Sequence, residues 1–325
     1  MVTMTYRDAA IRAVREEMTA DPSVWVLGED VQAGGVFGQY AGFVGEFGTE
    51  RIVDTPISEA CIMGAATGAA LMGTRPVVEM RFSDFALCAT DELVNQAAKA
   101  RYMFGGQARV PLVARQPIGL WFNLAAQHSQ SLEAWYAHIP GLVVATPATA
   151  DDNYHMLKAA IRADDPVVYL EHKELWGQEG TVDDTAVLPP FGKARIVRDG
   201  TDVTLVSWSR TVQEASAAAD LLAEDGIAAE VIDLRTIWPW DRETVLKSVE
   251  KTHHAVIAHE AVRTGGFGAE VAATISELGF SSLKAPVMRV GAPRVPVPYA
   301  PNLERETHVN AAGIHQAALR CINHG

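Results

Sequence analysis

Two stretches of this chain place a titratable side chain where a ligand would meet it. In the first, Asp54-Thr55-Pro56-Ile57-Ser58-Glu59 closes a β-branched run and opens an apolar helical pattern. Such a handover puts Glu59 at the carboxyl edge of a parallel sheet, the edge at which ligands of α/β folds bind. The same residues admit a structural role, with Ser58 capping the helix and Glu59 meeting its dipole. In the second, Ala125-Ala126-Gln127-His128-Ser129-Gln130-Ser131 passes from apolar to polar in a loop, with Trp135, Tyr136 and His138 downstream. A histidine there can donate or accept a proton near neutral pH. It can equally be a hydrogen-bonding loop residue, and the local sequence leaves both readings open.

Other stretches say less. Gly265-Gly266-Phe267-Gly268 has the outline of a phosphate-binding turn, but lacks GxGxxG spacing and a downstream ribose-binding acid. Residues 28–48 contain seven glycines, which suits a mobile loop near a ligand or a plain surface excursion. Between residues 60 and 73, Gly64, Ala65, Gly68 and Ala69 let another backbone approach closely, in the core or at a subunit interface. The nine other histidines show no metal-ligand spacing, so no transition-metal site is assigned.

The elements that must position these residues alternate. Thr5 with Asp8 three residues on marks a helix start, and Ile11, Val14 and Met18 then share one face. Strands are expected at 24–27, 51–54, 76–80, 110–115, 142–145 and 167–171, with helices at 59–72, 89–104 and 150–163. Alternation of this kind implies a parallel sheet flanked by helices. The pattern lapses at TVDDTAVLPPFGK and then restarts, with strands at 203–207, 229–234, 255–259 and 287–290 and helices at 212–224, 242–251 and 268–278. The expected organisation is an α/β domain over 1–180, a linker over 181–197 and a smaller α/β domain over 198–325. The tail from residue 292 carries four prolines and should run extended over a surface.

Composition narrows the class. The 325 residues suit about two domains of roughly 150 residues each. With 48% hydrophobic and 21% charged residues the chain is globular rather than disordered. Lys+Arg 27 against Asp+Glu 40 gives a net charge of −13, which repels phosphate backbones and excludes nucleic acid as an expected partner. The three cysteines are far apart and odd in number, which points away from a disulfide framework and towards a reducing compartment. The N-terminus lacks a secretory apolar core, and residues 60–73 are too short an apolar run to span a bilayer. A cytoplasmic chain without membrane partners is expected.

Several segments together resemble the β subunit of the thiamine-diphosphate-dependent E1 component of 2-oxo acid and acetoin dehydrogenase complexes, a transketolase-like family. They are LGEDV at 27–31, DTPISE at 54–59, AKARYMFGG at 98–106, QHSQSLEAWYAHIPGL at 127–142, DPVVYLEHK at 165–173 and IDLRTIWPWD at 232–241. The resemblance implies a pyrimidine-binding domain followed by a transketolase C-terminal-like domain. It also implies an α subunit in an α2β2 heterotetramer and a lipoylated E2 acyltransferase as partners. By motif position Glu59 looks like the carboxyl that bonds the cofactor's pyrimidine nitrogen, Ile57 and Phe85 line that ring, and His128 faces substrate and lipoyl group. The resemblance thus tips both open readings towards function. A monovalent cation, commonly potassium, is implied at the positions of Leu112, Val113, Ala160, Ala163 and Asp165, mainly through backbone carbonyls.

A complete enzyme of this kind needs a metal on the diphosphate, usually marked by GDG with an Asn about 25 to 30 residues later. No GDG triplet occurs here, so Mg2+ is expected through the α subunit. At 118–124 the chain reads IGLWFNL where resembled chains carry small residues, which makes Trp121 and Phe122, with His128, candidate pocket residues. The substrate is expected to be a small acyl donor, whether acetoin, pyruvate or a branched-chain 2-oxo acid. A split transketolase-like carboligase and a non-catalytic assembly subunit are the alternatives.

Overall fold

The computed structural model describes residues 1–324. They form two compact units, Met1–Ile118 with Trp135–Phe191, and Gly119–Ala134 with the chain from Gly192 onward.

In the first unit, helix Tyr6–Ala20 starts where its sequence marks it, because the Thr5 hydroxyl accepts the Asp8 N–H at 3.1 Å. Its small residues Ala9, Ala10 and Ala13 let it lie closely against helix Ala150–Arg162, which contributes Tyr154, Leu157 and Ile161 to the same core. Thr149 caps that second helix in the same way, accepting the Asp152 N–H at 3.1 Å. The strands are β1 (Val2–Thr5), β2 (Val24–Gly28), β3 (Ile52–Asp54), β4 (Arg75–Glu79), β5 (Val113–Ile118), β6 (Val143–Ala145), β7 (Val167–His172) and β8 (Glu179–Val182). Six of them lie in the order β6-β7-β5-β4-β2-β3, every pair parallel. Strands β1 and β8 form a separate antiparallel ribbon. Valines from β2, β4, β5 and β7 fill the core beneath the helices.

The helix expected over 89–104 begins earlier and changes its winding. Helical turns run from Ser83–Ala86 through a 3-10 turn at Leu87–Ala89 and a π segment at Glu92–Ala97 to Ala98–Met103. A π turn shifts the buried face by one residue, so a search at the 3.6-residue period misplaces the start.

The second unit holds β9 (Arg195–Arg198), β10 (Val203–Ser207), β11 (Ala229–Asp233), β12 (Thr236–Trp238), β13 (Ala255–Val262) and β14 (Met288–Ala292). Its sheet has the order β14-β13-β10-β11-β9, parallel except for β9. Helices Thr211–Glu224 and Ala311–Ile322 pack on it, burying Ala215, Ala218, Leu222, Ile314, Ala317 and Cys321. The Ala311–Ile322 helix was not among the expected elements. Its signals are present, in Asn310, which accepts the Gly313 N–H at 2.9 Å, and in the 314, 317, 318, 321 spacing. The proline-rich stretch after β14 is irregular, with Val295 and Tyr299 exposed. No helix among the described residues is long and apolar enough to cross a membrane.

Candidate active site

In the first unit the carboxyl ends of β2, β3 and β4 build one edge. Gly28 is required there, since a Cβ would come within 2.7 Å of the Glu79 carbonyl oxygen. The Gly28 carbonyl accepts the Thr55 N–H at 3.0 Å, and Asp54 accepts the Gln32 N–H at 2.8 Å. These bonds fix the exit of β3, after which Ile57 projects with 79% of its surface exposed. Helix Glu59–Leu71 follows, but Ser58 makes no side-chain cap bond to it. The capping reading of Ser58 is therefore not realised. Glu59 is half-buried in the first turn, and no hydrogen bond or ion pair engages its carboxylate among the described residues. Within this chain Gly68 has no neighbouring atom on its open side, so tight core packing does not explain that glycine.

Phe85, half-buried, lies in the helical turn after β4, its ring edge-on to Phe82 at 5.4 Å. That turn is anchored from below. Arg115 on β5 is buried between two carboxylates, donating to Glu79 at 3.0 Å and to Glu171. Tyr40 donates to Glu79 at 2.7 Å and Asn153 to Glu171 at 2.8 Å, so both acids are hydrogen-bonded as well as paired. Burial pushes the Glu79 carboxyl above the ordinary range, against the opposing pull of Arg115.

The positions expected to hold a monovalent cation start β5 and end helix Ala150–Arg162. Leu112 and Ala160 are buried, and their carbonyls accept the Val167 and Ala163 N–H groups at 2.9 and 3.2 Å. The Ala163 carbonyl accepts from Arg75 at 2.8 Å, and the Asp165 carboxylate pairs with Arg101 at 2.7 Å. Each carbonyl keeps a second lone pair. Among the described residues no group of three or more His, Cys, Asp or Glu is placed to hold a metal ion.

In the second unit, residues 119–134 carry His128, Trp121 and Phe122. Phe122, Asn123 and Ala125 all take positive φ, at 45°, 56° and 61°, a region that side chains with a Cβ rarely adopt. The Trp121 and Phe122 rings touch at 4.6 Å between centroids, with Trp121 half-buried and Phe122 exposed. His128 is half-buried, and the Ser129 and Ser131 hydroxyls beside it are buried without a hydrogen-bond partner. The Leu120 N–H donates to Glu260 at 2.9 Å, and the Trp208 indole N–H to Glu133 at 3.1 Å. Trp208 stacks on His259 at 5.1 Å and 16°.

Sequence reasoning missed Glu133, Trp208, His259 and Glu260. The one available signal was His259 before Gly265-Gly266-Phe267-Gly268. These glycines serve the imidazole, since a Cβ on Gly266 or Gly268 would lie 2.5 or 2.6 Å from its ring. The outline of a phosphate turn thus has a packing cause. Burial lowers the His259 pKa to about 4, so the ring is neutral at pH 7. Its Nδ1 lies 3.0 Å from the Ala261 carbonyl.

Residues 2–178 match the family described as transketolase, pyrimidine binding domain, and residues 192–314 match transketolase, C-terminal domain. A pyruvate dehydrogenase E1 component subunit beta-2 of Oryza sativa, mitochondrial by its name, is 46% identical over 98% of this chain and 86% of its own length. The β subunit of an acetoin:2,6-dichlorophenolindophenol oxidoreductase from Cupriavidus necator is 44% identical over 96% of each chain. A 2-oxoisovalerate dehydrogenase subunit beta from Bacillus subtilis is 42% identical over 98% of each. The chain belongs to the E1 β subunit family of 2-oxo acid and acetoin dehydrogenases. A solved split-gene transketolase, described as an inactive β4 tetramer, shares the fold with a TM-score of 0.82 over 99% of both chains at 24% identity.

For an E1 β subunit the residues of the first unit suit the aminopyrimidine half of thiamine diphosphate. Glu59 offers an unengaged carboxyl for a ring nitrogen, Ile57 an exposed aliphatic surface, and Phe85 an aromatic wall.

Proposed function

We propose that this chain, paired with an α subunit in an α2β2 tetramer, cleaves the carbon–carbon bond beside the carbonyl of a small 2-oxo acid or acetoin. The acyl group then passes to the lipoyl arm of an E2 acyltransferase. The observation that carries the reading is the Glu59 carboxyl, half-buried and unengaged at the sheet edge beside exposed Ile57. Thiamine diphosphate, with Mg2+ held through the α subunit, supplies the nucleophilic carbon and the electron sink. Glu59 holds a proton against the pyrimidine nitrogen. His128 gives a proton to one lipoyl sulfur as the sulfur–sulfur bond breaks and the other sulfur takes the acyl carbon. Trp121 and Phe122 bound the acyl group.

Glu59→Gln keeps the shape but cannot share the proton. Activity of the assembled enzyme should fall about 10²- to 10⁴-fold with the tetramer intact. Exchange of the cofactor's C2 proton at the wild-type rate in that variant would show that Glu59 has another role. A split carboligase is distinguished by turnover without any lipoyl acceptor, and a non-catalytic subunit by full activity of the variant.

Potassium bound by the carbonyls of Leu112, Val113, Ala160 and Ala163 and by Asp165 should raise the melting temperature in KCl over equal NaCl. Equal melting in the two salts would remove that site from the proposal.

A further inference from the structure

The segment that carries His128 follows a strained backbone path. Between Gly119 and Gln130 its internal backbone bonds include Gly119 N–H to Gln130 O at 3.3 Å and Leu124 N–H to Trp121 O at 3.2 Å. Three of its residues with a Cβ, Phe122, Asn123 and Ala125, sit in the left-handed region, which residues other than glycine rarely adopt. A loop of that kind persists only where the surrounding structure over-determines it.

Two bonds within the second unit do so, one on each side of His128. Eight residues before it, the Leu120 N–H meets the Glu260 carboxylate at 2.9 Å. Five residues after it, the Glu133 carboxylate accepts from the Trp208 indole at 3.1 Å. Glu133 and Trp208 are 1% and 2% exposed, so this bond is made away from water, where leaving either group without its partner is costly. Trp208 in turn is built into the sheet. Val206 of β10 pairs with Ile257 of β13, so two residues further on Trp208 and His259 fall on one face. Their rings stack there, and His259 is itself wedged between the glycine backbones at 266, 268 and 291. The indole N–H is therefore presented from a rigid platform.

We propose that Trp208, seated on His259, is a positioning residue that holds Glu133 and thereby fixes the His128 segment for acyl transfer. This rests on the role of His128 given above. It predicts that Trp208→Phe, which keeps the stack but removes the donor, slows acyl transfer to a lipoyl domain roughly 10- to 100-fold. Reduction of 2,6-dichlorophenolindophenol, which bypasses the lipoyl step, should fall by a smaller factor than acyl transfer does. Glu133→Gln keeps an acceptor oxygen and should behave as wild type, whereas Glu133→Leu should reproduce the Trp208→Phe defect.

The deciding experiment measures these variants as the assembled tetramer, together with His128→Ala and the Trp208→Phe/His128→Ala double variant. Backbone amide exchange over 119–134 is followed in parallel. Faster exchange confined to that segment, with a double variant no slower than His128→Ala alone, is the expected result. Unchanged exchange in Trp208→Phe would overturn the tether whatever His128 does. Additive losses in the double variant would overturn the positioning role. A His128→Ala enzyme that transfers acyl groups at the wild-type rate would sink the proposal through the His128 assignment, with the exchange data still reporting on the tether by itself.

Discussion

Trp121 is the residue proposed to set the substrate range. It lies seven residues before His128, and its indole rests against Phe122 in a segment whose backbone is held in left-handed turns. If the indole lines the acyl pocket, it leaves little room for branches. Trp121→Gly should widen acceptance towards longer or branched acyl groups, each methylene being worth roughly 1–3 kcal/mol of discrimination in such a pocket. Glycine also relieves no left-handed strain here, since the positive φ values belong to residues 122, 123 and 125. The measurement is the ratio of kcat/KM values across a panel of straight and branched 2-oxo acids and acetoin. An unchanged ratio with a weakened tetramer would mean that Trp121 packs against the partner subunit instead.

Elements are coupled in the first unit by one buried ion cluster that spans three adjacent strands. Glu79 on β4 pairs in register with Arg115 on β5, and Glu171 on the neighbouring β7 completes the group. The three side chains are 7%, 3% and 1% exposed. Replacing the arginine would leave two carboxylates buried without their cation. Arg115→Met should therefore cost about 3–5 kcal/mol, or prevent folding of the chain altogether. Urea denaturation of the assembled protein tests this, and a loss below about 1 kcal/mol would show that water reaches the acids. The cluster also ties the β4 exit, and with it the turn carrying Phe85, to the middle of the sheet. The sheet edge that carries Phe85 is in this way stiffened from beneath.

At the scale of the whole molecule, the chain carries the residues suited to a pyrimidine ring but no GDG triplet for a metal and diphosphate. The purified chain should bind thiamine diphosphate poorly and turn nothing over until an α subunit is added. Titration of the α chain should then restore activity with a one-to-one endpoint, read by lipoamide-dependent turnover and by the mass of the complex. Full activity of this chain alone, free of α chain by mass spectrometry, would refute the half-site proposal.

The alternating strands and helices, the Thr5 cap and the Asp54–Glu59 turn were legible in the sequence because each depends on local chemistry: periodicity, a hydroxyl at a helix start, a β-branched run giving way to a helical pattern. The family was legible for a related reason, since its segments are contiguous runs. What stayed hidden depends on residues far apart in the chain. Whether Ser58 or no residue caps the helix at Glu59 is set by a backbone conformation that β3 and Gly28 impose. The left-handed path of residues 122–125 has no glycine to announce it, and it is held by Glu260 and Trp208, more than 70 residues downstream. His259 looked like an isolated histidine until the sheet put it under Trp208 and against three glycines. Burial and pairing of this kind arise only when strands that are distant in sequence lie side by side, so only the tertiary structure could assign them.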